Sequence, residues 1–256
     1  MQTDNTLANC RALITGASGG IGRATASALA EKGARLALHG NSNRQKLDSL
    51  LAELPGSEHI ALTADLTEPD ECRRLVSETA AGFGGIDLLV NNAGVFFDHP
   101  PSATGSSDWQ RSWQQTLAVN LLAPAILCHS AAAIMAKNGG GKIINISSRG
   151  AFRGEPDAPA YGASKAGLNS MSQSLAQALA DSNIMVFAIA PGFVETDMAF
   201  ALLDGPDGDA IRAQSPLGRA AKPEEIAATI AFLAGPDTDY LTGTIIDING
   251  ASYLRN

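Results

Sequence analysis

Tyr161 and Lys165 stand four residues apart in the run Tyr161-Gly-Ala-Ser-Lys165, a spacing that puts both side chains on one face of a helix. That pairing can make an acid. A free tyrosine titrates near ~10 and is almost wholly neutral at pH 7, but a cation held against its oxygen favours the phenolate and lowers the pKa. Tyr161 could then give and take a proton at working pH. This suits interconversion of a carbonyl and an alcohol, where the oxygen gains or loses a proton as hydride moves on carbon. A tyrosine and a lysine at this spacing are also common on solvated helix faces, so the elements around them decide.

Those elements alternate between short aliphatic runs and helical patterns, the signature of a parallel sheet covered on both faces. Strands are expected at Arg11–Thr15, Arg35–His39, Ile60–Thr63, Asp87–Asn91, Lys142–Ser147, Ile184–Ala190 and Thr244–Ile248. Between them lie helices at Ile21–Lys32, at about Asn43–Leu54, from an N-cap in Thr67-Glu-Pro-Asp70 to Phe83, after Ser107 with a break near Pro124, around Tyr161, and at Pro223–Ala234. The expected fold is α/β, one doubly wound Rossmann-type parallel sheet of about seven strands, in a single domain spanning residues 1–256.

Composition narrows the function. The formal net charge of −8 and the lack of a lysine or arginine run argue against nucleic acid. Cys10, Cys72 and Cys128 are far apart and form no C-x-x-C, which fits a reducing cytoplasm. His39, His59, His99 and His129 are equally scattered, so no metal site is expected. The polar segment Met1 to Asn9 lacks the order of a signal peptide. The apolar stretch Ala118–Ala136 carries Asn120, Pro124, His129 and Ser130, which hydrocarbon penalises, and is expected as a buried or subunit-contact helix rather than a membrane span.

The first strand runs into Thr15-Gly-Ala-Ser-Gly-Gly-Ile-Gly22, a glycine turn opening a helix. Such a turn lets backbone amides approach a pyrophosphate, and the helix N-terminus favours the anion. Its order is G-x-x-x-G-x-G at Gly16, Gly20 and Gly22, not G-x-G-x-x-G, so spacing alone also allows an ordinary tight βα turn.

Several motifs together resemble the short-chain dehydrogenases/reductases. Thr15 to Gly22 is similar to that family's T-G-x-x-x-G-I-G, and Asn91-Asn-Ala-Gly94 to its N-N-A-G. Asn120, Ser148, Tyr161 and Lys165 match its Asn-Ser-Tyr-Lys tetrad in order and spacing, and Pro191-Gly192 with Val194-Glu-Thr196 matches its P-G-x-V-x-T. The resemblance implies that Tyr161 is the general acid or base, that Lys165 lowers its pKa and holds the nicotinamide ribose, and that Ser148 orients the substrate oxygen. Asn120 would hold a relay water; its alternative is a satisfied polar residue inside a helix. The cofactor would meet Gly16, Ser18, Gly20, Ile21, Gly22, Asn41, Ser42, Asp65, Leu66, Asn92, Ala93, Gly94, Tyr161, Lys165, Pro191, Gly192, Val194 and Thr196. Phe96, Phe97, Phe152, Phe193 and Met198 would form an apolar substrate pocket. The broadest likeness is to 3-oxoacyl-[acyl-carrier-protein] reductases. A dehydrogenase of another small alcohol, sugar or steroid-like ketone, or a catalytically silent nucleotide-binding Rossmann protein, are the alternatives. A homotetramer follows from the same resemblance.

The second strand ends His39-Gly-Asn-Ser-Asn-Arg44. An NAD enzyme of this type places an acid near Gly40 to hold the adenosine ribose, and that carboxylate repels a 2′-phosphate. Here no acid appears before Asp48, while Asn41, Ser42 and Asn43 can donate to a phosphate and Arg44 can add charge. NADP(H) is favoured and NAD(H) possible.

Overall fold

Aliphatic residues on successive strand positions point to opposite faces of a sheet, and in the computed structural model of this protein, described over residues 5–255, they fill two cores. Ala12, Ile14, Leu36, Leu38, Leu88, Val90, Ile144 and Ile146 enter one core. The alternate residues Leu13, Ala37, Leu89 and Ile143 enter the other. Burial on both faces is why these strands read as continuous apolar runs. Met1 to Asp4, the start of the polar leading segment, and Asn256 lie outside the described residues.

The strands are β1 (Arg11–Ile14), β2 (Arg35–Gly40), β3 (Ile60–Thr63), β4 (Leu88–Asn91), β5 (Gly141–Ile146), β6 (Ile184–Pro191) and β7 (Ile245–Ile248). They form one seven-stranded sheet in the order β3-β2-β1-β4-β5-β6-β7. All pairings are parallel, with Ile14 beside both Leu38 and Val90 and Asn91 beside Asn145. The order reverses between β1 and β4, and the crevice at the carboxyl ends of strands on either side of such a reversal is where this architecture binds ligands.

The helices are α1 (Gly20–Glu31), α2 (Arg44–Glu53), α3 (Pro69–Phe83), α4 (Ser106–Leu117), α5 (Ala123–Lys137), α6 (Gly150–Arg153), α7 (Pro159–Leu179), α8 (Asp197–Leu203), α9 (Gly208–Ala213) and α10 (Pro223–Ala234). Asn43 caps α2 by accepting from Lys46 N–H at 3.0 Å. The cap expected in Thr67-Glu-Pro-Asp70 falls on Glu68, because Asp65 Oδ1 accepts from the Thr67 amide and hydroxyl and keeps Thr67 in the preceding turn. The break near Pro124 is a π-helical turn at Ala118–Leu122 that joins α4 to α5. Proline has no N–H for the carbonyl four residues earlier, so Asn120 gives up its α-helical bond and Ala123 N–H reaches Ala118 O instead. The short helices α6, α8 and α9 carry no sequence periodicity long enough to be foreseen.

Candidate active site

Tyr161 and Lys165 lie on the first turns of α7, whose start is set by Pro159. Lys165 is buried, with 4% of its surface exposed, and its Nζ donates to the Ile146 carbonyl oxygen at 2.8 Å. Burial pushes its pKa down to about 8. Nζ sits 5.8 Å from the centre of the Tyr161 ring. The expected lowering of the Tyr161 pKa is not found. Burial of the phenol raises it, the Ser148 hydrogen bond offsets part of that rise, and the Glu155 charge adds to it. Desolvation outweighs the bond because a buried phenolate loses water that one hydroxyl does not replace.

Strand alternation separates the two serines that follow β5. Ser147 is buried and its hydroxyl donates to the Lys165 carbonyl oxygen at 3.3 Å. Ser148 faces the other way, accepts from Gly150 N–H at 3.0 Å, and bonds Tyr161. Its hydroxyl oxygen is fixed by α6 while its proton is free to point at the tyrosine oxygen.

Asn120, in the π turn, is fully buried. It accepts from Val95 N–H at 2.8 Å, donates to Val95 O at 2.9 Å, and donates to Ser164 Oγ at 3.2 Å. A Cβ on Gly94 would lie 3.4 Å from Asn120 Oδ1 and 3.6 Å from Lys165 Nζ. Asn120, Gly94 and Lys165 therefore surround one spot, and the asparagine holds the Asn91-Asn-Ala-Gly94 segment to the helix.

The glycine turn is clamped from the same segment. Asn92 donates to the carbonyl oxygens of Thr15 and Gly16 at 2.9 and 3.0 Å, and Thr15 Oγ1 accepts from the amides of Asn92 and Ala93, both at 3.0 Å. Gly16 has φ of 64°, a conformation glycine adopts without cost. A Cβ on Gly20 would fall 2.3 Å from Thr196 Cγ2, and one on Gly22 2.1 Å from Gly16 O. Gly19 faces open space, and the amides from Ser18 to Ile21 have no backbone acceptor among the described residues. Open donors at a helix N-terminus fit a dinucleotide phosphate.

Further out, Pro191 and Val194 are buried and Gly192 packs on Asn249, carrying the segment past the glycine turn to Thr196. Asn41 and Ser42 are exposed beyond β2, and Leu66 is buried. Asp65 is exposed, its carboxylate held below the usual range by Thr67. Arg44 turns along its own helix to Asp48 at 2.7 Å rather than inward. Phe96 meets the Tyr161 ring edge-on at 5.0 Å. Phe152 and Phe193 instead lie under Arg255 and Arg149 at 4.4 and 5.2 Å. Phe97 and Met198 are exposed.

Two histidines with no sequence signal prove to be structural to the site. His99 is fully buried, donates from Nδ1 to Phe97 O at 2.7 Å, and accepts at Nε2 from Ala160 N–H at 3.2 Å, tying the loop after β4 to the residue before Tyr161. His39 bonds the glycine turn. Neither partner could be found by spacing, because each is joined across distant segments.

The profile of the family described as Enoyl-(Acyl carrier protein) reductase matches residues 16–251. Nodulation protein G of Rhizobium sp. (strain N33) is 40% identical over 94% of this chain and 95% of its own. The 3-oxoacyl-[acyl-carrier-protein] reductase FabG of Thermotoga maritima is 38% identical over 93% of this chain and 95% of its own. Among solved structures, a short chain dehydrogenase from Burkholderia cenocepacia J2315 in complex with NADP superposes with a TM-score of 0.87 at 35% identity, over 97% of this chain and 99% of that one. A dehydrogenase/reductase from Sinorhizobium meliloti 1021 superposes with a TM-score of 0.89 at 32% identity, covering 98% of both chains. Likeness at this level along nearly the whole length means that the chain belongs to the short-chain dehydrogenase/reductase family and is an NAD(P)-dependent oxidoreductase of the carbonyl–alcohol type.

Proposed function

We propose that this protein is an NADPH-dependent reductase of 3-oxoacyl thioesters, with acyl carrier protein as the carrier, in a single nucleotide-binding domain. The observation that carries the reading is the Ser148–Tyr161 hydrogen bond beside a buried Lys165. When bound, the cofactor supplies hydride to the carbonyl carbon. Ser148 and Tyr161 both donate to the carbonyl oxygen as negative charge builds on it, and Tyr161 delivers its proton. Lys165 has two N–H donors left after Ile146 for the nicotinamide ribose, and its charge stabilises the tyrosinate left behind. Gly94 and Asn120 border the same spot, where a water could restore the proton. The open amides from Ser18 to Ile21 would hold the diphosphate, and Asp65 and Leu66 the adenine. Pro191, Gly192, Val194 and Thr196 would hold the nicotinamide side.

The NADPH preference is supported by the missing acid at Gly40 and by the exposed Asn41 and Ser42, while Arg44 is committed to Asp48 and Asn43 to its cap. The likeness to the 3-oxoacyl-[acyl-carrier-protein] reductase of Thermotoga maritima supports the thioester. Following NADPH oxidation with a short 3-oxoacyl thioester, a 2-enoyl thioester and simple ketones tests the reading. The 3-oxoacyl substrate should give the highest kcat/KM, and activity confined to the enoyl substrate would contradict it.

A homotetramer is part of the same proposal. The continuous helix Ser106–Lys137 is long and apolar enough to cross a membrane. Less than half of its most apolar stretch is buried within the chain, and Leu122 on this helix is 56% exposed. A second copy would cover this face and leave buried Asn120 among protein atoms rather than lipid. Light scattering should give four chains; a monomeric mass at micromolar concentration would contradict this. The three free thiols support placement in the cytoplasm.

A further inference from the structure

The amides of the glycine turn divide into two sets. Gly16 N–H donates to Nδ1 of His39 at 3.3 Å, and Ala17 N–H donates to the His39 carbonyl oxygen at 2.8 Å. The amides that follow, Ser18 to Ile21, are the open ones. One residue thus takes up the two donors that precede the phosphate-facing set. The other ring nitrogen, Nε2, lies 3.0 Å from the Ala64 carbonyl oxygen. Because Nδ1 accepts, Nε2 carries the proton and donates to that oxygen. The ring is 2% exposed, and burial pushes its pKa down, which keeps it in this neutral form.

The imidazole therefore spans three strand ends. It starts from β2, holds the turn after β1, and holds the residue before Asp65 after β3. The turn has little slack to settle elsewhere, since a Cβ on Gly16 would fall 2.9 Å from Ala93 Cα. Neither bond touches a ligand directly. The bond to Gly16 fixes backbone that does.

We propose that His39 is a positioning residue for the dinucleotide: by accepting from Gly16 N–H its neutral ring presets the Ser18–Ile21 amides toward the diphosphate, while its bond to Ala64 O serves only to fix the tautomer and anchor the ring. This rests on reading the turn as an NADP(H) site. Presetting removes an ordering cost that binding would otherwise bear.

Two substitutions separate the bonds. His39→Asn keeps an acceptor near the Nδ1 position and lacks the Nε2 donor, whereas His39→Gln places a donor near Nε2 and lacks the Nδ1 acceptor. By isothermal titration, H39N should hold the NADPH Kd within about threefold of wild type, and H39Q should raise it about tenfold, the size of one lost hydrogen bond. At saturating NADPH, kcat of H39Q should equal wild type, which separates an effect on binding from one on chemistry. Equal loss of affinity in the two variants, tracking their Tm, would overturn the proposal, as would an unchanged Kd in H39Q. Wild-type protein carrying ¹⁵N-histidine tests the tautomer without substitution. Its His39 resonances at pH 7 should show an unprotonated Nδ1 and a protonated Nε2, and a doubly protonated ring would overturn the assignment. Wild-type protein that binds neither NADPH nor NADH would overturn the reading of the turn itself, and this proposal with it.

Discussion

Lys165→Met should make the protein more stable while disabling it. Burial pushes the Lys165 pKa from 10.5 down to about 8. At about 1.4 kcal/mol for each pKa unit, the charged lysine costs the folded state about 3 kcal/mol at pH 7. Methionine fills a similar volume without that charge and loses the charged-donor bond to Ile146 O, worth about 2 kcal/mol. The net gain is about 1 kcal/mol, or about 2–4 °C in Tm for a chain of this size. The pH dependence gives the sharper test. The folded pKa lies below the unfolded one, so between about 8 and 10.5 the unfolded wild type binds more protons, and wild-type stability rises with pH through that window. The advantage of K165M should be full below pH 8 and fade toward pH 10.5. Thermal melts of both proteins from pH 7 to 10 would measure it. A variant less stable than wild type at pH 7, or an advantage that does not change with pH, would refute the reasoning.

Other perturbations address neighbouring parts of the site. Gly22→Ala places a Cβ 2.1 Å from Gly16 O, and the overpacking of the turn should weaken NADPH binding on the order of tenfold; titration with unchanged Kd would show that the turn yields freely. Glu155→Gln removes a charge that raises the Tyr161 pKa. The rise of alcohol oxidation with pH, where phenolate acts as base, should therefore move to lower pH, and an unmoved profile would remove Glu155 from the site's electrostatics. Arg44→Ala should leave KM for NADPH within about threefold, since an exposed pair with Asp48 is worth little; a large rise would mean that Arg44 leaves Asp48 for the phosphate.

Much of this fold is legible in the chain because two-sided burial writes itself as apolar runs. β3 and α10 fall at the foreseen residues, and the other strands within one residue at either end. What could not be read depends on partners distant in sequence. Asn120 looks like any polar residue in an apolar helix until the π turn aims it at Val95. Thr67 has the chemistry of a cap, yet Asp65 takes it for the turn. Arg44 has the charge for a phosphate, but Asp48 one turn on holds it. The sign of the Tyr161 shift is the clearest case. A lysine four residues away predicts a lowered pKa from Coulomb attraction alone, whereas desolvation, which depends on everything packed around the phenol, raises it. His39 and His99 bond turns and loops that no spacing rule connects.

The central claim is that Tyr161 delivers the proton as NADPH reduces a 3-oxoacyl carbonyl. Steady-state NADPH oxidation on a short 3-oxoacyl thioester, run for wild type and Tyr161→Phe together with NADPH titrations of both, tests it most directly. Wild type should turn over with a clear preference for NADPH over NADH. The variant should lose on the order of 10²–10⁴ in kcat with cofactor affinity intact, since only the acidic hydroxyl is removed. A Tyr161→Phe protein with near wild-type kcat, or a wild type that leaves the carbonyl untouched, would contradict it.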